Sequence, residues 1–178
     1  MRNHMLLRFD RFSDLDPRKL MDIYAESNLD NTAYFYPEIT DKAEAVRRME
    51  ERFLEYLDQN FFHTPGPSLW VLEVDGRWVS ALRLNELKPG FYYLEALETS
   101  PDCRRRGYSS RLLTELIETL KQRGPFELHD CVGKKNKASL RTHLKCGFQI
   151  VAEDGCDYLS QETSVFVHGL AYSYEGKQ

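Results

Sequence analysis

Residues 97–110 read Leu97-Glu98-Thr99-Ser100-Pro101-Asp102-Cys103-Arg104-Arg105-Arg106-Gly107-Tyr108-Ser109-Ser110. A strand pattern ends there and an amphipathic helix pattern begins, with Leu112, Leu113, Leu116, Ile117 and Leu120 on one face. A helix start offers backbone N–H groups without intrahelical acceptors and a partial positive charge, which suits a phosphate or pyrophosphate. Gly107 lets the backbone approach such a ligand, Ser109 is small enough for the same purpose, and Arg104, Arg105 and Arg106 add forked cationic donors. The plain alternative is a solvated basic run or a nucleic-acid patch. A Walker loop is excluded, because no Gly-Lys-Ser/Thr follows a four-residue spacer.

A second block lies downstream: Asn136-Lys137-Ala138-Ser139-Leu140-Arg141-Thr142-His143-Leu144-Lys145-Cys146-Gly147-Phe148. Together the two blocks resemble the GNAT superfamily of N-acetyltransferases. The family signature Arg/Gln-x-x-Gly-x-Gly/Ala is matched by Arg104-Arg105-Arg106-Gly107-Tyr108-Ser109, with serine at the last small position. Its Asn-x-x-Ala/Ser-x-x-x-Tyr-x-Lys-x-Gly-Phe segment is matched by residues 136–148, with His143 where tyrosine is usual.

The resemblance implies acetyl-CoA as cosubstrate and an amine acceptor. The pantetheine arm would run along Leu97, Glu98 and Thr99, and the pyrophosphate would sit on Arg104, Arg105, Arg106, Gly107, Tyr108 and Ser109. Asn136, Ser139 and His143 would complete the cofactor wall; Asn136 also reads as a helix cap. His143 takes the place of the family's general acid, and histidine's reference pKa of about 6.5 against about 10 for tyrosine makes it the readier donor. The alternative is a packing histidine, with water protonating the thiolate. Glu95 and Glu98 stand where relatives keep a carboxylate base. Strand alternation puts them on opposite faces unless a bulge intervenes, so at most one faces the site, and Glu95 is the choice. Tyr34, Phe35, Tyr36 and Tyr158 are expected to line the acceptor side. Cys131 reads as a buried inert thiol in preference to an acyl carrier.

The elements that must position these residues follow from periodicity. Asp16-Pro17 opens a helix carrying Leu20, Ile23 and Tyr24, and Tyr34-Phe35-Tyr36-Pro37 reads as non-helical. Thr40 or Asp41 opens another helix, with Val46, Met49, Phe53, Tyr56 and Leu57 inward. Strands are expected over residues 6–12, 69–74, 78–84, 91–99, 126–132, 149–152 and 164–172, with Asp75-Gly76 a hairpin turn. Helices are expected over residues 109–123 and 137–146. The resemblance makes this an α/β (α+β) fold: a mixed, mostly antiparallel sheet of six to seven strands, flanked by four helices. The parallel central pair, residues 91–99 and 126–132, splays apart to admit the cofactor.

Composition bounds the rest. A chain of 178 residues, 42% hydrophobic and 29% charged, fits a single domain over 1–178. A net charge of −4 argues against a nucleic-acid binder. Cys103, Cys131, Cys146 and Cys156 show no zinc spacing, and the start, Met1-Arg2-Asn3-His4-Met5, shows no secretory pattern. With no apolar run long enough to span a membrane, the expectation is a cytoplasmic protein with reduced thiols. Oligomeric state is left open, a homodimer included. Two other functions stay open: a CoA-binding module without turnover, which the His143 substitution permits, and a cofactor-free interaction domain using the three arginines.

Overall fold

The computed structural model describes residues 3–176, so Met1 and Arg2 of the amino-terminal reading lie outside the described residues. Strand β1 (His4–Phe9) is followed by helices α1 (Pro17–Ile23), α2 (Ala25–Phe35) and α3 (Lys42–Gln59). A meander of β2 (Pro67–Val74), β3 (Arg77–Lys88) and β4 (Phe91–Thr99) comes next. Then come α4 (Tyr108–Lys121), β5 (Phe126–Gly133) and α5 (Lys137–Lys145), and the chain closes with β6 (Gln149–Ala152), β7 (Gly155–Asp157), β8 (Glu162–Ser164) and β9 (Val167–Tyr174). Seven strands form one sheet in the order β1-β2-β3-β4-β5-β9-β6, and β7 and β8 form a separate hairpin. Within the sheet β4 and β5 are parallel and the other pairings are antiparallel.

Two cores sandwich the sheet. Leu112, Leu113, Leu116, Ile117 and Leu120 of α4 pack on one face with Leu82, Leu84, Tyr92, Leu94 and Leu128. Leu20, Ile23, Tyr24, Leu57 and Phe61 cover the other face over Leu69, Val71 and Ala81. On α3 the buried positions are Ala45, Met49 and Leu57, while Tyr56 turns outward at 37% exposure, against the sequence reading. The buried row advances by four, and Tyr56 falls one position off it.

Among the described residues five α-helices stand where four were expected. Tyr24, at φ −90°, ψ 14°, ends α1 and leads straight into α2, which runs through Tyr34 and Phe35. Pro37 constrains only the residue before it: Tyr36 leaves helical geometry at φ −136°, ψ 51°, and the two residues upstream are untouched. The last expected strand also divides, because Val165 and Phe166 form a turn between β8 and β9.

Two departures from regularity shape the site. The β4–β5 register runs from Phe91↔Glu127 to Leu94↔Asp130 and stops, while β5 continues to Gly133 paired with β9. Beyond Leu94 the parallel strands therefore splay, as expected. In β4 itself Glu95 pairs with Arg83 and Glu98 with Ala81, so three steps on β4 face two on β3. Ala96 takes up the extra residue at φ 54°. This bulge overturns the alternation argument: Glu95 and Glu98 lie on the same face, the one covered by α1, α2 and α3.

Candidate active site

Gly107 precedes α4 at φ 78°, ψ 13°, and no side chain caps the helix. Arg111 donates the first intrahelical bond to the Gly107 carbonyl, so the amides of Ser109 and Ser110 lie ahead of it. A Cβ at Gly107 would meet nothing within 4 Å, which leaves the corner open to a ligand. Arg104 reaches across to Glu26 at 2.7 Å, with both side chains nearly half exposed. Such a surface pair is worth little and gives way easily to a multiply charged anion. Thr99 Oγ1 lies 2.5 Å from Ser109 Oγ and donates to Ser80 Oγ at 3.0 Å, tying the end of β4 to the first turn of α4.

The splay and this corner are one cleft of about 530 Å³. Leu97, Glu98 and Thr99 line it from β4, Arg104, Arg105 and Ser109 from the corner, and Asn136, Ala138, Ser139 and Thr142 from α5. Eight of the sequence-derived cofactor residues thus meet in one place. Arg106, Gly107, Tyr108 and His143 do not contribute to the lining; Tyr108 is buried, its ring edge-on to His4 at 6.4 Å. Glu26, Ser27 and Asp30 of α2 form the remaining wall. Sequence reading missed them, because a polar helix face carries no spacing that distinguishes a cleft wall from solvent. Asn136 performs the capping it was read for, accepting from the Ser139 amide at 3.1 Å.

His143 is 1% exposed and turned inward. Its Nε2 lies 2.6 Å from Asp130 Oδ2 and its Nδ1 2.8 Å from the Ser139 carbonyl. A carbonyl only accepts, so Nδ1 carries a proton, and a second proton is shared between Nε2 and Asp130. Burial works to lower the imidazole pKa, yet the hydrogen bond and charge of Asp130, with the Ser139 carbonyl, carry it above the usual value. Burial in turn raises the Asp130 carboxyl, opposed by His143.

Across the sheet, burial raises both carboxyls on the bulged strand: Glu95 against the opposing pull of Arg83, and Glu98 against the Ser27 hydroxyl and Arg104. Tyr24 donates to the Ala96 carbonyl at 2.7 Å and pins the bulge; burial pushes its own hydroxyl pKa up, so it stays a neutral donor. Glu98 lines the cleft, and Glu95, outside that lining, sits beside Arg83.

The residues expected to form the acceptor wall do not converge. Tyr34 is 80% exposed, and Phe35 lies beneath the Arg52 guanidinium at 4.3 Å. The Tyr36 hydroxyl donates to the Arg48 carbonyl at 3.5 Å. None of the three lines the cleft. Tyr158 rides on the β7–β8 hairpin, edge-on to Phe91 at 5.3 Å and Tyr93 at 5.5 Å. The Cys131 thiol donates to the Cys156 carbonyl at 3.2 Å, and burial pushes its pKa up to about 11, which leaves it protonated and a poor nucleophile. Among the described residues no cluster could hold a metal ion, and no helix is long and apolar enough to cross a membrane.

An uncapped, glycine-led helix start at the mouth of splayed parallel strands defines a class, and comparison with known proteins bears on it directly. Residues 20–148 match the model of the acetyltransferase (GNAT) family, so the chain belongs to that family, whose members transfer acetyl from acetyl-CoA. A search of curated proteins finds no match. Among solved structures, the PaiA N-acetyltransferase of Thermoplasma acidophilum, in complex with coenzyme A, superposes with a TM-score of 0.64 at 16% identity, covering 97% of this chain and 99% of that one. The ribosomal-protein-S18-alanine N-acetyltransferase of Escherichia coli gives 0.63 at 16%, covering 100% and 97%. The Campylobacter jejuni N-acetyltransferase PseH, in complex with acetyl coenzyme A, gives 0.61 at 14%, covering 97% and 100%.

Proposed function

We propose that this chain binds acetyl-CoA in the cleft and passes the acetyl group directly to a primary amine. The observation that carries the reading is the uncapped start of α4, opening with Gly107 onto the gap between β4 and β5. When bound, acetyl-CoA supplies an electrophilic thioester carbonyl and a thiolate leaving group. Amides at the start of α4 hold the diphosphate, with Arg104 and Arg105 neutralising it. The free edge of β4 at Leu97, Glu98 and Thr99 receives the pantetheine arm as an added strand.

The Leu97 amide, next to the bulge, is assigned to the carbonyl oxygen as it gains charge; one such donor is worth about 3–4 kcal/mol of barrier elsewhere. Holding both reactants in place contributes roughly 7–11 kcal/mol. Side chains therefore have two smaller tasks. Glu98, with its raised proton affinity, takes the amine proton, and Glu95 stands behind it. The acid is assigned to His143, whose Nδ1–H must leave the Ser139 carbonyl to reach the thiolate. A reducing cytosol fits the four free thiols.

The test is calorimetric titration with acetyl-CoA, then release of CoA thiol in the presence of an amine panel. Tight binding with CoA release supports the reaction. Binding without release from any amine points to a sensor, and no binding removes the cleft assignment.

A further inference from the structure

Arg83 holds an unclosed pair. Its side chain is 13% exposed and its Nε is buried with no hydrogen-bond partner. Its nearest anion, Glu95 Oε2, lies 3.7 Å away, beyond hydrogen-bond length, and is itself buried without a partner. The surface arginines behave differently: Arg8–Asp10, Arg77–Asp102 and Arg111–Glu115 close at 2.8, 2.8 and 2.7 Å. Among the described residues the Arg83 side chain makes no hydrogen bond. Its guanidinium lies over the rings of Tyr56 at 5.2 Å and Phe61 at 5.6 Å, which fix the plane of the fork. A buried Nε–H left unpaired in a largely buried side chain is costly unless an acceptor arrives to take it.

The sheet register says what that anion must accompany. Glu95 is directly across from Arg83, and Glu98, at the cleft, pairs with Ala81. Arg83 and Glu98 are therefore diagonal cross-strand neighbours on one face, about 7–8 Å apart at the backbone. A molecule that carries an ammonium and a carboxylate on one carbon presents a partner to each of the two side chains that rise from this face. Burial also raises the Glu95 carboxyl, which weakens its hold on the guanidinium.

We infer that Arg83 receives a carboxylate of the acceptor while Glu98 receives its amine, so that the acceptor is a free amino acid. The inference rests on the acetyl-transfer reading above and names its substrate class. Planar carboxylate recognition by a fork is something guanidinium does and ammonium does not.

The experiment uses the full chain with saturating acetyl-CoA and three matched sets of acceptors: free L-amino acids, their carboxamides and the corresponding decarboxylated amines. CoA thiol release is the readout. The free acids should exceed their amides and amines in kcat/KM by about ten- to a hundredfold, the worth of one charge-assisted contact. Arg83→Gln should erase that preference through KM while leaving acetyl-CoA affinity in place, and Arg83→Lys, a second variant that keeps the charge, should retain part of it. Amides or amines used as well as the acids, turnover confined to polyamines or peptide amino termini, or an Arg83→Gln loss equal across the sets would each overturn the inference while leaving acetyl transfer standing. Acetyl-CoA bound with no thiol released from any amine would instead overturn the reaction, and the acceptor with it.

Discussion

Two helix starts line the cleft, and they are built in opposite ways. α5 begins with Asn136 folded back onto the Ser139 amide, and its body is locked to β5 through His143 and Asp130. α4 begins with a left-handed glycine and no cap. A closed start spends its donors on its own stability and serves as a wall. An open one leaves them free and accepts a slightly weaker helix end, since glycine in place of a capping side chain costs only about a few tenths of a kcal/mol. The same structural device thus divides into a closed start and an open one according to one residue type at its head.

The difference can be broken most directly at Gly107. Gly107→Glu places a carboxylate in the open corner, and acetyl-CoA affinity should fall by at least about a hundredfold, or about 2.8 kcal/mol. The left-handed backbone should cost only about 1–2 kcal/mol of stability. Titration calorimetry beside thermal melts checks both, and unchanged affinity in a folded variant would remove the anion site.

Changes on α5 should show the reverse pattern, with stability leading. His143→Phe strands a buried carboxylate and should destabilise by about 3–5 kcal/mol, whereas Asp130→Leu combined with His143→Phe should be neutral or better at neutral pH. The sign with pH follows from the raised imidazole: its contribution is complete below its reference value of 6.5 and is lost as pH rises through the higher folded value. The raised Asp130 carboxyl works in the same direction. Chemical denaturation across neutral to alkaline pH should show this decline in the parent and not in the double variant. Turnover in the double variant reports the acid role, and an unaltered kcat would transfer that role to water.

The smallest effect belongs to Asn136. Asn136→Ala should cost about 0.5–2 kcal/mol in a thermal melt. An affinity loss as large as that from Gly107→Glu would erase the distinction between the two starts.

Much of the α4 and α5 half was legible in the sequence. β4 and β6 fall on their expected bounds, and the apolar row of α4 is buried as its spacing required. These elements carry strong periodicity, and the glycine with its arginines stands out against it. The other half was less legible for identifiable reasons. The bulge sits on an alanine, a residue that gives no sign of a left-handed backbone, so alternation ran straight through it. Pro37 drew attention to Tyr36 and hid a helix that needed only two more residues. Glu26, Ser27 and Asp30 form a wall only because α2 docks there, and Arg83 reads as one charge in an ordinary strand until the register shows what lies opposite it. The β7–β8 hairpin is too short to announce itself.

The kink at Ala96 does more than bring two acids together. Upstream of it the even-numbered Tyr92 and Leu94 pack toward α4; downstream the parity is exchanged, so that Leu97 packs toward α4 and the Thr99 hydroxyl meets Ser109. Straighten that single offset and Glu98 would turn away from Ser27 while Thr99 let go of the helix. Both halves of the machinery are geared through one tooth, and neither can be retuned without turning the other.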